Sequence, residues 1–318
     1  MDKFLRKITH SEFYQGNGKI PNKYFEGWYF KHESENIVIA LIPGISYDGN
    51  DSHAFIQLIA SINNAQHVTK YFRFPINKFF ASKDKLEITI DKNKFTPYGI
   101  EINITQDDYV LKGKLTYGHF TPLQTTFLQP NIMGIFAYLP NLDCNHGILS
   151  MRHTINGSFT LNNIPYPIYK GIGYVEKDWG KSFPGKYMWV QCGNFDLQNI
   201  SFMMSYAKLK ILGLPLNGLI CVLKIADKEL VFATYNFATL KILFQTPTSI
   251  NLVIKKSSYK LFIKATAPNS GNLLAPTTGK MSRSINESIS CVVSLKLTHH
   301  NKTILDCNGT HGGLELNL

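Results

Sequence analysis

The sequence predicts an all-β protein made of two antiparallel β-barrels with few short helices. Three observations carry this. Short segments of period-two alternation recur along the chain, rich in Val, Ile, Tyr, Phe and Thr. Turn residues separate them at regular intervals, as in sandwiches and barrels. No long segment carries the 3.6-residue apolar period of a good helix.

In chain order, the first strand is Glu26 to His32 (E-G-W-Y-F-K-H), followed by the continuous apolar run from Asn36 to Ile42. Lys85 to Asp91, Ile100 to Thr105 and Tyr109 to Leu115 alternate apolar with polar, as do Asn251 to Ile254 and Tyr259 to Ala265. Turns are expected at Asp48-Gly49-Asn50-Asp51, Asn63-Asn64, Asn156-Gly157, Asn162-Asn163 and Asn269-Ser270-Gly271. Gly16-Asn17-Gly18 is also a turn, with no strand-to-helix context for nucleotide binding. A faint repeat relates residues 66–116 to residues 228–266, each an aromatic-rich segment followed by alternating strands. It divides the chain into two domains, 1–163 and 164–318, which suits a length of 318 residues.

The composition is 44% hydrophobic and 17% charged, enough apolar material for sizeable cores and too much for a disordered chain. The net charge of +11 is scattered, with no run of five basic residues and no helix-turn-helix or RNP-like strand, so no nucleic-acid partner is expected. The five cysteines are widely spaced and form no C-x-x-C pair, which predicts reduced thiols. The N-terminus lacks an apolar signal region. The longest apolar stretch, Ile211 to Ala226, is interrupted by Pro215, Asn217 and Lys224 and is too short to span a bilayer. A soluble cytoplasmic protein is expected, with contact at a membrane surface left open and no obligate protein partner.

The most informative segment runs from Gly171 to Cys192, G-I-G-Y-V-E-K-D-W-G-K-S-F-P-G-K-Y-M-W-V-Q-C. On a strand, Tyr174, Glu176 and Asp178 share one face, with the carboxylates about 7 Å apart. Burial and mutual repulsion would hold at least one protonated near neutral pH, as a general acid requires. The alternative is a solvated face paired with Lys177, Lys181 or Lys186. Upstream, His146 and His153 lie close in sequence, but no third ligand has convincing spacing and H-E-x-x-H is absent, so no metal is expected. No G-x-S-x-G, Walker or dinucleotide fingerprint occurs, and no cofactor is expected.

At these residues the chain resembles the tocopherol cyclase family. The matching segments are Glu26-Gly27-Trp28-Tyr29-Phe30, His146-Gly147 through Ser150-Met151-Arg152-His153, and Gly173-Tyr174-Val175-Glu176-Lys177-Asp178-Trp179-Gly180. Phe183-Pro184, Trp189-Val190-Gln191-Cys192 and Gly309 to Glu315 support them. The resemblance implies two lipocalin-like barrels, related to carotenoid 1,2-hydratases. It also implies an enzyme that protonates a prenyl alkene on a hydrophobic substrate such as a prenyl-quinol. A phenol oxygen, or water in the hydratase branch, then traps the cation.

In the hydratase branch an acid two residues after a tyrosine is implicated, a position held here by Glu176. The resemblance therefore points to Glu176 as proton donor and Asp178 as second choice, with Tyr174 or His146 hydrogen-bonding the acid or the phenol. Trp179, Trp189 and Tyr187 are candidates to face the cation or exclude water. His153, Trp28 and Gln191 stand in the matching motifs as further substrate contacts, although Trp28 reads best as a plug of the barrel base. Trp179 can share the space of Glu176 only through a bulge or bend, which Gly180 would allow. A non-catalytic lipocalin-like binding protein is the competing reading, and a surface protein whose basic charge touches anionic lipid is the third.

Overall fold

A computed structural model describes residues 2–16, 23–107, 109–140, 142–211 and 214–318. Asn17 and Gly18 of the expected Gly16-Asn17-Gly18 turn lie outside the described residues, as do Leu212 and Gly213 of the apolar stretch. The chain forms two compact units, Met1–Phe183 with Leu273–Ser284, and Pro184–Asn272 with Ile285–Leu318.

The first unit opens with the helix α1 (Lys3–Thr9) and continues through β1 (Lys23–Glu33), β2 (Ile37–Asp48), β3 (His53–Ile62), β4 (Gln66–Pro75), β5 (Phe79–Ala81) and β6 (Ile88–Ile90). It is completed by β7 (Asn93–Thr96), β8 (Gly99–Gln106), β9 (Tyr109–Tyr117), β10 (Cys144–Leu161) and β11 (Ile164–Gly180). The second sheet is built from β12 (Lys186–Cys192), β13 (Asn194–Phe195), β14 (Ile200–Ile211), β15 (Leu214–Ile225), β16 (Lys228–Ala233) and β17 (Thr239–Gln245). To these are added β18 (Ser249–Lys256), β19 (Tyr259–Thr266), β20 (Gly271–Thr277), β21 (Lys280–His299) and β22 (Lys302–Asn317).

The two sheets have one topology. The first runs β4-β3-β2-β1-β11-β10-β9-β8-β7-β6-β5, the second β16-β15-β14-β12-β22-β21-β19-β18-β17. In both, the first strand pairs with the last, and the rest fan out on either side. The faint sequence repeat is the trace of this repeated topology. In each unit the hydrogen-bonded path is open at its ends, but one core draws side chains from across the sheet. In the first unit that core takes Phe72 from β4 and Ile88 from β6 as well as Trp28, Phe30 and Val175 from the middle, so the sheet is rolled in the manner of a lipocalin-like barrel.

The boundary expected at 163/164 falls instead at the β10–β11 turn. Asn162 and Asn163 both adopt left-handed φ there, +46° and +67°, which lets a two-residue turn join strands that pair into one sheet. Asn63 and Asn64 also adopt left-handed φ, +51° and +55°, in the three-residue loop 63–65 between β3 and β4. Asn156-Gly157 is no turn: it lies inside β10, where a register shift and a φ of +139° at Gly157 mark an irregularity. The first unit also takes back residues 273–284. The Gln57 carboxamide accepts from the Leu274 N–H at 2.8 Å and donates to its carbonyl at 2.9 Å, as a neighbouring strand would. Ser46 Oγ donates to the Gly279 carbonyl at 2.7 Å.

β8 alternates buried and exposed residues, so it has one wet face, whereas β3 is buried throughout and β1 nearly so. Burial on both faces makes β1 and β11 the strands on which polar side chains have chemical consequences. On the inward face of β11, Lys177 meets Glu26 of β1 at 2.5 Å, both fully buried. Lys177 Nζ also donates to the Phe13 carbonyl at 2.6 Å and lies 4.6 and 4.8 Å from the ring centroids of Trp28 and Trp179. Glu26 accepts from the Gln15 and Gly16 N–H groups and from Tyr24 Oη at 2.6 Å, while Trp28 Nε1 donates to the Glu12 carbonyl at 3.2 Å. The strap of residues 11–16 is thereby pinned inside the sheet. It passes over Gly147, where an added Cβ would come within 2.5 Å of Ser11 Cβ. Burial pulls the Lys177 ammonium down from its ordinary value, opposed by Glu26.

Removing one member of a buried pair strands the other charge, at about 3–5 kcal/mol. Glu26→Gln is expected to lower the urea unfolding free energy by about that amount, and Glu26→Gln/Lys177→Met to recover most of it. A single variant as stable as the parent would show that the pair does not hold the strap.

Candidate active site

The Asp178, Glu176 and Tyr174 side chains project from β11 on the face opposite Lys177. Antiparallel pairing sets His146 of β10 opposite Asp178, Ile148 opposite Glu176, and Tyr29 and Lys31 of β1 opposite Glu176 and Tyr174. Tyr174 Oη donates to Glu176 Oε2 at 2.5 Å. His146 bridges the two acids, with Nδ1 at 2.9 Å from Asp178 Oδ1 and Nε2 at 3.4 Å from Glu176 Oε2. The Cys144 thiol donates to Asp178 Oδ1 at 3.8 Å. Tyr174, Glu176 and His146 are buried, and Asp178 is partly exposed.

Burial alone would lower the His146 pKa, but Asp178 and Glu176 outweigh it and raise the value to about 9. At neutral pH the ring is an imidazolium, and Nδ1–H is donated to Asp178. Burial, with Glu176, keeps the Tyr174 phenol well above its ordinary value and therefore neutral, a donor to the acid. Burial, with Asp178, likewise holds the Cys144 thiol protonated, so it is no nucleophile. The face is largely buried rather than solvated: His146, Tyr174 and Cys144 lie against the carboxylates, and Lys177 points the other way.

His146, Glu176 and Asp178 also place three ligand atoms within 4.8 Å of one another, a grouping that could hold a cation. Spacing along the chain does not reveal it, because the third ligand comes from the neighbouring strand. His153 does not join: it lies opposite Gly173, where an added Cβ would come 2.2 Å from its Nε2. Its Nδ1 is 3.0 Å from Ser150 Oγ, and it packs on Tyr117 and Phe120. Burial lowers its pKa to about 3.

The other expected contacts divide between the two units. Trp28 and Trp179 lie on the inward face with Lys177, away from Glu176, so no bulge turns Trp179 outward; its ring packs with Tyr24, Ile45 and Tyr47. Trp189, Tyr187 and Gln191 share a face of β12 in the second unit, opposite Glu315, Asn317 and Gly313 of β22. Tyr187 Oη donates to the Glu315 carboxylate. Sequence reasoning missed Cys144, Tyr29 and Lys31, which only strand register places on the Glu176 face.

The sequence profile described as tocopherol cyclase-like matches residues 106–318, a span that includes β10, β11 and all of the acid face they carry. The chain belongs to the tocopherol cyclase-like family. No curated protein matches its sequence. Among solved structures, CghA with Sch210972 superposes with a TM-score of 0.66 at 9% identity, over 94% of this chain and 90% of that one. A putative AttH from Nitrosomonas europaea gives 0.57 at 13% identity, over 95% and 94%. Kievitone hydratase from Nectria haematococca gives 0.55 at 10% identity, over 97% and 92%. At these identities the likenesses carry the fold alone. The Glu26-Gly27-Trp28 motif lies outside the matched span, in keeping with its place in the strap and core.

The two histidines provide a titration test. Protonated His146 stabilises the fold fully below the ordinary imidazole value of about 6.5. That contribution is lost as pH rises through about 9. NMR titration is expected to show the His146 ring protonated at neutral pH and titrating near 9, with His153 neutral throughout. A His146 midpoint below 7 would contradict the bridged arrangement.

Proposed function

We propose that this chain is a cyclase or hydratase that protonates an alkene of a hydrophobic, isoprenoid-type substrate. The observation that carries the reading is the Tyr174–Glu176–His146–Asp178 constellation, buried on one face of β10 and β11 within the span matched by the family profile. Glu176 is the proton donor. His146 holds one proton on Nδ1, against Asp178, and a second on Nε2, facing Glu176. Transfer of the Nε2 proton leaves a neutral imidazole still bonded to Asp178 and a Glu176 carboxylic acid, a stronger acid than the imidazolium.

The acid adds its proton to the less substituted alkene carbon, and the tertiary carbon becomes cationic. A phenol oxygen of the same molecule closes the ring and releases its proton to the Glu176 carboxylate, so the reaction is an isomerisation. If water is the nucleophile, it adds its oxygen to the cation and returns one proton, a hydration. Tyr174 keeps Glu176 oriented through both steps. Burial of the acid and its links to a histidine and a tyrosine support this reading over a binding protein with solvated carboxylates.

Glu176→Gln is expected to reduce turnover of a prenyl-quinol by about 10²–10⁴-fold with the melting temperature unchanged. His146→Gln is expected to slow it less. A chelator should leave the rate unaltered. Full activity in Glu176→Gln, or loss of activity on chelation restored by a divalent metal, would replace the proton relay with another role for these residues.

A further inference from the structure

The segment between β9 and β10 has no part in the proposed acid chemistry. From Phe120 to Leu142 it contains no Asp, Glu, Lys or Arg, in a chain that is 17% charged. Within it, residues 126–129 make a tight turn closed by Thr126 N–H to the Gln129 carbonyl at 2.9 Å and Gln129 N–H to the Thr126 carbonyl at 3.1 Å. The tip of that turn is Phe127-Leu128, 82% and 66% exposed. Turn tips in water favour Gly, Asn, Asp or Ser, so two large apolar side chains at one need an apolar contact. Tyr138 Oη donates to the Phe127 carbonyl at 2.6 Å and its ring packs on Phe127, so the tip is held rather than loose.

Helix α1 is tied to the same segment. Lys7 Nζ donates to the Leu139 carbonyl at 2.7 Å, and Asn131 Nδ2 to the Ile8 carbonyl at 3.1 Å. The helix adds exposed Phe4 and Leu5, and Ile135 is exposed beside it on the segment. Of the helix cations Arg6 is buried and Lys7 is bound to Leu139, which leaves Lys3 exposed near the single acid Asp2. The result is a set of apolar side chains on two elements tied together, free of carboxylates on the loop and bordered by Lys3 on the helix.

We infer that this patch docks the protein on an anionic lipid bilayer. Phe127 and Leu128 enter the headgroup–acyl boundary, Phe4, Leu5 and Ile135 lie along it, and Lys3 meets the lipid phosphates. The charge-free segment enters without stripping water from a charge. A protein partner or a second copy would suit the apolar residues. The exposed Lys3 and the net charge of +11 favour a broad anionic surface.

Co-sedimentation of the full chain with phosphatidylcholine vesicles, with and without one third phosphatidylglycerol, tests this. The parent is expected to bind the anionic vesicles more tightly than the neutral ones. Phe127→Ser/Leu128→Ser should weaken binding by roughly tenfold per side chain, with the melting temperature unchanged because both residues are exposed. Failure of the parent to sediment with anionic vesicles, or equal binding by the double variant, would overturn the inference. So would light scattering that finds a dimer which the double variant converts to monomer. The test is independent of the acid assignment. Glu176→Gln should bind vesicles as the parent does, and the double variant should turn over detergent-dispersed substrate at the parental rate.

Discussion

The Glu26–Lys177 pair inside the first sheet sets the phase of everything on β11. A carboxylate and an ammonium in an apolar interior must find each other and satisfy their remaining hydrogen bonds. Here they do so with the strap of residues 11–16 and the two indole faces. Side chains alternate along a strand, so Lys177 facing inward obliges Glu176 and Asp178 to face the other way. A slip of one residue would turn both acids into the hydrocarbon core and move the lysine to the face that Glu176 occupies. The inward pair is therefore what presents the outward acids.

On the outward face the same electrostatic problem has a different answer. Two carboxylates on one face of a strand repel, and here the relief comes from β10, whose His146 stands between them. Neither strand holds the site alone. β11 supplies the acids and the phenol, β10 the imidazole and the thiol, and the register of their hairpin brings them together. The asparagine turn at 162–163 is thus part of the site's architecture although it lies far from it along the strands.

Much of this is legible in the sequence, and the limits are physical. Alternation on β8, β9, β18 and β19 reads directly, because one solvated or core-facing side per strand leaves a period-two signature. The shared face of Tyr174, Glu176 and Asp178 follows from the same period. Partners across strands do not. His146 is 32 residues from Asp178 in sequence, and the register that joins them depends on irregularities in β10 that leave no local mark. Hence His153, equal to His146 as a bare sequence feature, proves to pack on Tyr117 and Phe120. Trp28 and Trp179 read as aromatic candidates, but their company with Lys177 shows only when both strands are in place. Residues 162–163 show a related limit: a two-residue turn and a domain linker look alike until the strands on either side are seen to pair.

The charges of the two faces differ in a way that bears on the proposed chemistry. Inside, Glu26 and Lys177 cancel. Outside, protonated His146 stands between the two acids. In the proposed reaction, transfer of the mobile proton from Nε2 through Glu176 to the alkene leaves Glu176 and Asp178 both ionised beside a neutral imidazole. The negative charge thus grows in the step that creates the substrate cation, and it grows on groups already fixed by Tyr174 and the β10 register. Attraction between opposite charges that appear together on groups fixed in advance lowers the barrier, because those groups need not reorganise to meet the cation.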